Sequence, residues 1–205
     1  MKYRYLALSL LTLALTLACS TRSAAAQNPR LLGTAKPKVL GSVVATEGRS
    51  VALPGRPAAR RSRKGSEDAD PDALARAVLA QVNVVRRRAG ARPLRADAAL
   101  TRAATRYAQE LASRREIEHV SRTPGRRTFR QRIAAAGGRA RIAGENLARM
   151  TASPSSLPER AVRAWMRSPG HRANMLDRSY ARTGIGVWLG RDGVWYVVQE
   201  FATAD

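Results

Sequence analysis

The chain has 205 residues, 44% of them hydrophobic, a formal net charge of +22 and a single cysteine. That length allows one ordinary domain with appendages, and one cysteine excludes a small scaffold held by disulfides, so stability must come from a packed core. The basic surface will be drawn to polyanions, yet no zinc-finger cysteine pattern or aromatic-interleaved basic strand marks a specific nucleic-acid module.

The opening stretch, MKYRYLALSLLTLALTLACSTRSAAAQN, reads as a secretory signal peptide over residues 1–26. Lys2 and Arg4 begin it, an apolar run follows, and Ala24 to Ala26 supply an A-x-A cleavage site. The run is too short for a comfortable membrane span. Cys19, at its end, opens a second reading: a protein lipid-anchored to the envelope through Cys19, although Thr16 stands where such signals usually carry leucine. Membrane attachment is expected only through that lipid. Both readings place the protein outside the cytoplasm, secreted or periplasmic, and make anionic envelope polymers or lipids its expected partners. Nothing in the pattern speaks to oligomeric state.

Residues 27–69 mix Pro, Gly, Ser and clustered charge, with the basic block RPAARRSRKG running into the acidic SEDADPD. This reads as a flexible basic linker, with one short apolar piece, SVVA. The domain is expected over residues 70–205. Asp70 and Pro71 mark a helix start, and Leu74, Val78, Val82 and Val85 recur at helical spacing up to Gly90. A second helix is expected from about Ala96 to Ser113, with Leu100, Ala103, Ala104, Tyr107, Ala108 and Leu111 inward. His119 follows in an irregular segment. TFRQRIAAAG reads as a short third helix closed by Gly137 and Gly138, RIAGENLARM as a strand, and SLPERAVRAWMRS as a fourth helix with Pro158 in its first turn. A Pro-Gly turn then leads into His171. The last stretch, RTGIGVWLGRDGVWYVVQEFA, carries two β-rich runs around Arg191, Asp192 and Gly193, the pattern of a hairpin. Helices followed by strands imply a segregated α+β layout.

These segments, in this order, resemble the CAP superfamily of cysteine-rich secretory proteins, antigen 5 and pathogenesis-related proteins, and look most like its cysteine-free bacterial branch. The resemblance rests on LAQVNVVRRRAG with the alanine-spaced helix after it, HVS, GENLA, AWMRSPGHRANML, TGIGV and WYVVQEFA. It implies a three-layer α-β-α sandwich with a cleft lined by His119, Glu145 and His171, and with Ser168 and Asn174 beside them. Where many relatives carry a second glutamate three residues beyond the tryptophan, this chain has Ser168.

Two imidazoles and a carboxylate form a reasonable shell for zinc or another divalent metal, with His119 and His171 as ligands and Glu145 alongside. Without metal, the same trio is a candidate acid/base relay, Glu145 being the candidate catalytic group. The structural alternative is that these groups pin loops together. Gly144 and Gly170 read as backbone requirements, Asn146 and Asn174 as partners for backbone groups, and Trp165, Trp188, Trp195 and Phe201 as packing. Ser121 and Ser168 lie near histidines, but no nucleophile-elbow spacing accompanies them. The functional expectation is a secreted envelope protein that binds a lipid or wall-derived ligand in its cleft. The alternatives are a metal-dependent hydrolase using that cleft and a basic adhesive protein whose cleft is vestigial.

Overall fold

The computed structural model describes residues 38–39, 43–45 and 69–204. The leader, Cys19 and most of the stretch read as a linker lie outside the described residues. Two short strands fall within that stretch, β1 (Lys38–Val39) and β2 (Val43–Ala45), the second taken from the apolar SVVA piece.

Helix α1 (Pro71–Arg88) starts where Asp70 accepts a hydrogen bond from the Asp72 backbone N–H and Pro71 occupies the first turn. Leu74, Val78 and Val82 are buried, and the fourth inward position falls to Arg86. A two-residue strand, β3 (Arg95–Ala96), follows. It takes the place of the expected helix start at Ala96, because the Asp97 carboxylate accepts from the N–H groups of Ala99 and Leu100 and so sets the cap one residue later. Helix α2 (Ala98–Arg114) buries the six residues expected of it. Helix α3 (Phe129–Ala135) opens with a reciprocal capping box between Thr128 and Gln131.

Strand β4 (Ala143–Met150) and helix α4 (Leu157–Arg167) lie where expected. The expected Pro-Gly turn does not form. Pro169 and Gly170 open a further helix, α5 (Pro169–Leu176), and His171 sits in its first turn. Proline at the first helical position loses no hydrogen bond and presets φ, so the same dipeptide serves a helix start as well as a turn. The single extended residue Ser168 separates α4 from α5. The expected hairpin is present: β5 (Tyr180–Leu189) and β6 (Trp195–Thr203) pair antiparallel around the residues Arg191, Asp192 and Gly193.

The sheet order is β1-β4-β6-β5-β3, with β2 also beside β4. Along β6 the side chains alternate in burial partners. Trp195, Val197 and Phe201 pack with α1, α4 and α5, whereas Tyr196, Val198 and Ala202 pack with α2 and α3. Helices thus cover both faces, giving the α-β-α sandwich and α+β class that the sequence pointed to. Trp165 locks the first layer to the sheet by donating its indole N–H to Leu147 O at 3.0 Å. On the other face, Gly184 and Gly186 of β5 lie directly under α2. A Cβ at either would overlap the helix backbone at Leu100 or Ala104. The TGIGV segment is therefore a bed for a helix that touches the strand backbone.

Candidate functional site

The site is built on β4, where alternate residues point to opposite layers. Glu145 points toward α2 and α3; Asn146 points toward α5. Both are fully buried.

On the Glu145 side, Oε1 lies 2.7 Å from Nδ1 of His119, and Oε2 accepts from the guanidinium of Arg132 on α3. Arg132 is itself buried and does more than pair with Glu145. It donates to His119 O at 3.3 Å and Arg127 O at 3.1 Å, lies 3.5 Å over the Tyr107 ring, and brings Nε to 3.8 Å from Glu200 Oε1. Burial works against its charge, but the carboxylates of Glu145 and Glu200 outweigh that and hold its pKa above the ordinary value. Glu200 is the neighbour of Glu145 on β6, in direct register with it. Burial, reinforced by the charge of Glu145, raises the Glu200 carboxyl well above the usual carboxylate range.

The segment carrying His119 is gripped from α2 as well. The Tyr107 hydroxyl donates to Glu118 O. Glu110 accepts from the Ser121 hydroxyl at 2.7 and 2.8 Å, from Arg122 N at 3.2 Å and from the Thr123 hydroxyl at 3.2 Å. Burial acts to raise the Glu110 pKa, and these bonds, with Arg114, overcome it and lower it. Ser121 is therefore a tether for the loop, in agreement with its lack of nucleophile spacing. Within the ionic cluster, the side chain of His119 retains 10% exposure, against 4% for Arg132 and none for Glu145 or Glu200. A hollow of about 380 Å³ opens beside the cluster, lined by Tyr107, Glu110, Thr123, Arg126 and Arg132 among others.

On the other side of β4, Asn146 donates to His171 O at 3.2 Å, and Asn174 donates to Glu145 O at 3.2 Å and to Asn146 Oδ1 at 3.0 Å. The amides join backbone groups of strand and helix, holding α5 against the residue that carries the carboxylate. Gly144 makes room for this: a Cβ there would overlap the Tyr180 hydroxyl and crowd Asn174 Oδ1. Ser168 stands at the cap position of α5, but its hydroxyl meets His171 Nδ1 at 2.9 Å and caps nothing. Arg86 fixes the far end of α5 by donating to Met175 O at 2.6 Å, Asp177 O at 3.1 Å and Tyr180 O at 3.3 Å.

The structure thus brings His119 directly onto Glu145, and ties His171 and Ser168 to the same strand through Asn146 and Asn174. Among the described residues, no group of three or more His, Cys, Asp or Glu is placed to hold a metal ion. The reason is local, since both Glu145 oxygens are already engaged and one faces a guanidinium, whose charge opposes a divalent cation there. The donors as they stand do not fit the expected three-ligand zinc shell. Sequence reasoning missed Arg132, Glu110 and Glu200. Arg132 was hidden among 37 basic residues, and Glu200 lay in a run read as plain strand.

The family model described as the cysteine-rich secretory protein family, CAP, matches residues 79–201 of this chain. The Bacillus subtilis protein YkwD is 30% identical over 124 residues, which are 60% of this chain and 45% of that relative. Among solved structures, an extracellular SCP-domain protein of Bacillus anthracis superposes with a TM-score of 0.56 at 20% identity, covering 65% of this chain and 41% of that one. An outer surface protein of Borrelia burgdorferi superposes with a TM-score of 0.58 at 22% identity, covering 67% of this chain and 97% of its own length. The chain therefore spans less than half of YkwD and of the Bacillus anthracis protein.

Proposed function

The chain belongs to the cysteine-rich secretory protein family, and we propose that it works outside the cytoplasm at the cell envelope, binding a lipid or wall-derived ligand in the hollow beside the His119–Glu145–Arg132 cluster. The observation that carries this reading is the investment in one imidazole. His119 is held at its ring by Glu145 and at its backbone by Arg132, the preceding carbonyl is held by Tyr107, and its side chain keeps the cluster's greatest exposure. A buried set of two carboxyls and one guanidinium is an expensive way to stabilise a core, because desolvation offsets most of the ionic attraction. Such arrangements are candidates for functional sites. Known relatives described as extracellular or outer-surface proteins support the location. No helix among the described residues is long and apolar enough to cross a membrane.

In this reading Glu145 holds the imidazole of His119 and the guanidinium of Arg132 together, and Arg132, which lines the hollow, meets the ligand with His119 fixed behind it. No metal step is assigned. The test is co-sedimentation of the protein with phosphatidylglycerol vesicles and with purified wall sacculi, at low and high salt. Cleft binding predicts that one of these retains the protein in high salt and loses it in His119→Ala. Retention that vanishes with salt but survives His119→Ala would identify the basic adhesive protein instead. Turnover of an ester or amide substrate, lost in Glu145→Gln with the fold intact, would identify a hydrolase. Anchoring through Cys19 is a separate proposal, checked by whether Cys19→Ser releases the protein from membranes.

A further inference from the structure

Three of the large aromatic residues read as packing are buried: Trp165, Trp195 and Phe201. Trp188 is not; 37% of it is exposed. Its place in β5 explains this. Gly184, Gly186 and Trp188 share the face beneath α2, and the glycines let the helix lie on the strand at Leu100 and Ala104. Trp188, two residues beyond Gly186, carries a full indole where the glycines carry none, and it lies beside the last turns of α2, partly exposed. There it joins Gln109, Ser113, Arg115 and Arg191 in lining a hollow of about 590 Å³.

Three features point to a ligand. Arg115 occupies the left-handed region with φ of 55°, a terminal position usually given to glycine, and is the one described non-glycine residue with positive φ. A long basic side chain is kept there despite that strain. Among the described residues lining the hollow, Arg115 and Arg191 are charged and none is a carboxylate. Gln109 and Ser113 also line the hollow beside Arg132, so the two depressions meet over the outer face of α2. From Arg106 to Arg115 this face runs about 14 Å at the α-helical rise.

We propose that Trp188, Arg115 and Arg191, with Gln109 and Ser113, form a binding site for an anionic saccharide, a chain whose rings bear carboxylate, sulfate or phosphate groups. The apolar face of a sugar ring stacks on the indole, the guanidiniums take the anionic groups, and the amide and hydroxyl bond ring hydroxyls. One exposed aromatic beside hydrogen-bonding side chains suits a saccharide better than single-stranded nucleic acid, which is held by successive aromatic platforms.

The test uses the full chain and a galacturonate hexasaccharide, with a neutral glucose hexasaccharide and a single-stranded DNA oligonucleotide beside it. Trp165 and Trp195 are buried, so Trp188 dominates the solvent-sensitive fluorescence. The galacturonate should perturb that fluorescence saturably and the glucose oligomer should not. By calorimetry, Trp188→Leu and the Arg115→Ala/Arg191→Ala double variant should each bind about tenfold more weakly, a loss of one stacking contact or one pair of charge-assisted bonds. His119→Ala should bind as the parent does. Unchanged affinity in both site variants would overturn the inference, as would equally tight binding of the DNA. Loss of binding in His119→Ala with retention in Trp188→Leu would also overturn it, while leaving the cleft reading in place.

Discussion

Glu145 and Glu200 face one another as register partners on β4 and β6, both wholly buried, with the guanidinium of Arg132 as the cation between them. Two buried carboxyls share this one guanidinium, so burial favours keeping a proton on the pair. Burial, reinforced by Glu145, raises the Glu200 carboxyl well above the usual carboxylate range, while Glu145 makes the close contacts with Arg132 and His119.

Single amide substitutions should therefore be buffered. In Glu145→Gln, Glu200 loses the like charge beside it and becomes free to ionise against Arg132. Glu200→Gln leaves the existing ion pair in place. The double variant strands a buried guanidinium, a loss of about 3–5 kcal/mol by the usual cost of breaking a buried pair. Urea denaturation of the parent, both singles and the double should show the double to be worse than the sum of the singles.

Stability should also depend on pH in two opposite ways. Above the ordinary value of 4.5, the unfolded chain releases the Glu200 proton while the folded chain keeps it. The folded state then binds more protons, so this contribution is full below that pH and declines as pH rises toward the elevated folded value. Asp97 behaves inversely. Burial acts to raise its pKa, but bonds from Leu100 N, Arg182 and Ala99 N overcome it and lower it below 3.8. Its contribution is full above that ordinary value and is lost as pH falls through the depressed one. Denaturation midpoints across pH should lose the first slope in Glu200→Gln and keep it in Asp97→Ala, whose cost of about 1 kcal/mol reflects the missing cap.

Much of this was legible in the sequence, for physical reasons that differ by element. The burial of α1 and α2 followed from apolar spacing, and the hairpin from two β-rich runs about a short polar turn. Within LAQVNVVRRRAG, which carries part of the family resemblance, Asn83 and Arg86 each have a structural reason. Asn83 exchanges two hydrogen bonds with the backbone of Leu94, and Arg86 holds carbonyls at the end of α5. What stayed hidden were long-range pairings. Nothing local distinguishes Arg132 from Arg130, or Glu200 from a solvent-facing strand residue; only the closed sheet places them together. Helix α5 was missed because Pro-Gly serves turn and helix start equally well, and Trp188 because exposure is set by tertiary packing that the strand pattern does not show.

Arg86 offers a direct check on how α5 is held. It is fully buried, and desolvation lowers its pKa against the opposing charge of Asp177. Arg86→Ala leaves several buried carbonyls unpaired, which should cost about 2–4 kcal/mol, each orphaned group carrying a desolvation penalty. Lysine lacks the planar fork and should recover little of it. Thermal unfolding of the three proteins measures both effects.

Gly186→Ala tests the closeness of α2 to β5. The added methyl meets the Ala104 backbone, which cannot move aside as a flexible side chain would. A destabilisation of about 1–3 kcal/mol or more is expected for overpacking of this kind, and the melting curve of the variant reads it directly.

The most direct test of the functional reading uses the scarcity of imidazole: the chain has two histidines, so a nitrogen-15 imidazole spectrum contains two residues, assigned by a single His119→Ala variant. The protein would be titrated separately with short-chain phosphatidylglycerol and with a soluble muropeptide. The one that binds should shift the ring resonances of His119 saturably and should fail to bind His119→Ala. Saturable binding by calorimetry with the His119 ring unmoved would contradict the functional reading, and would place the ligand elsewhere on the molecule.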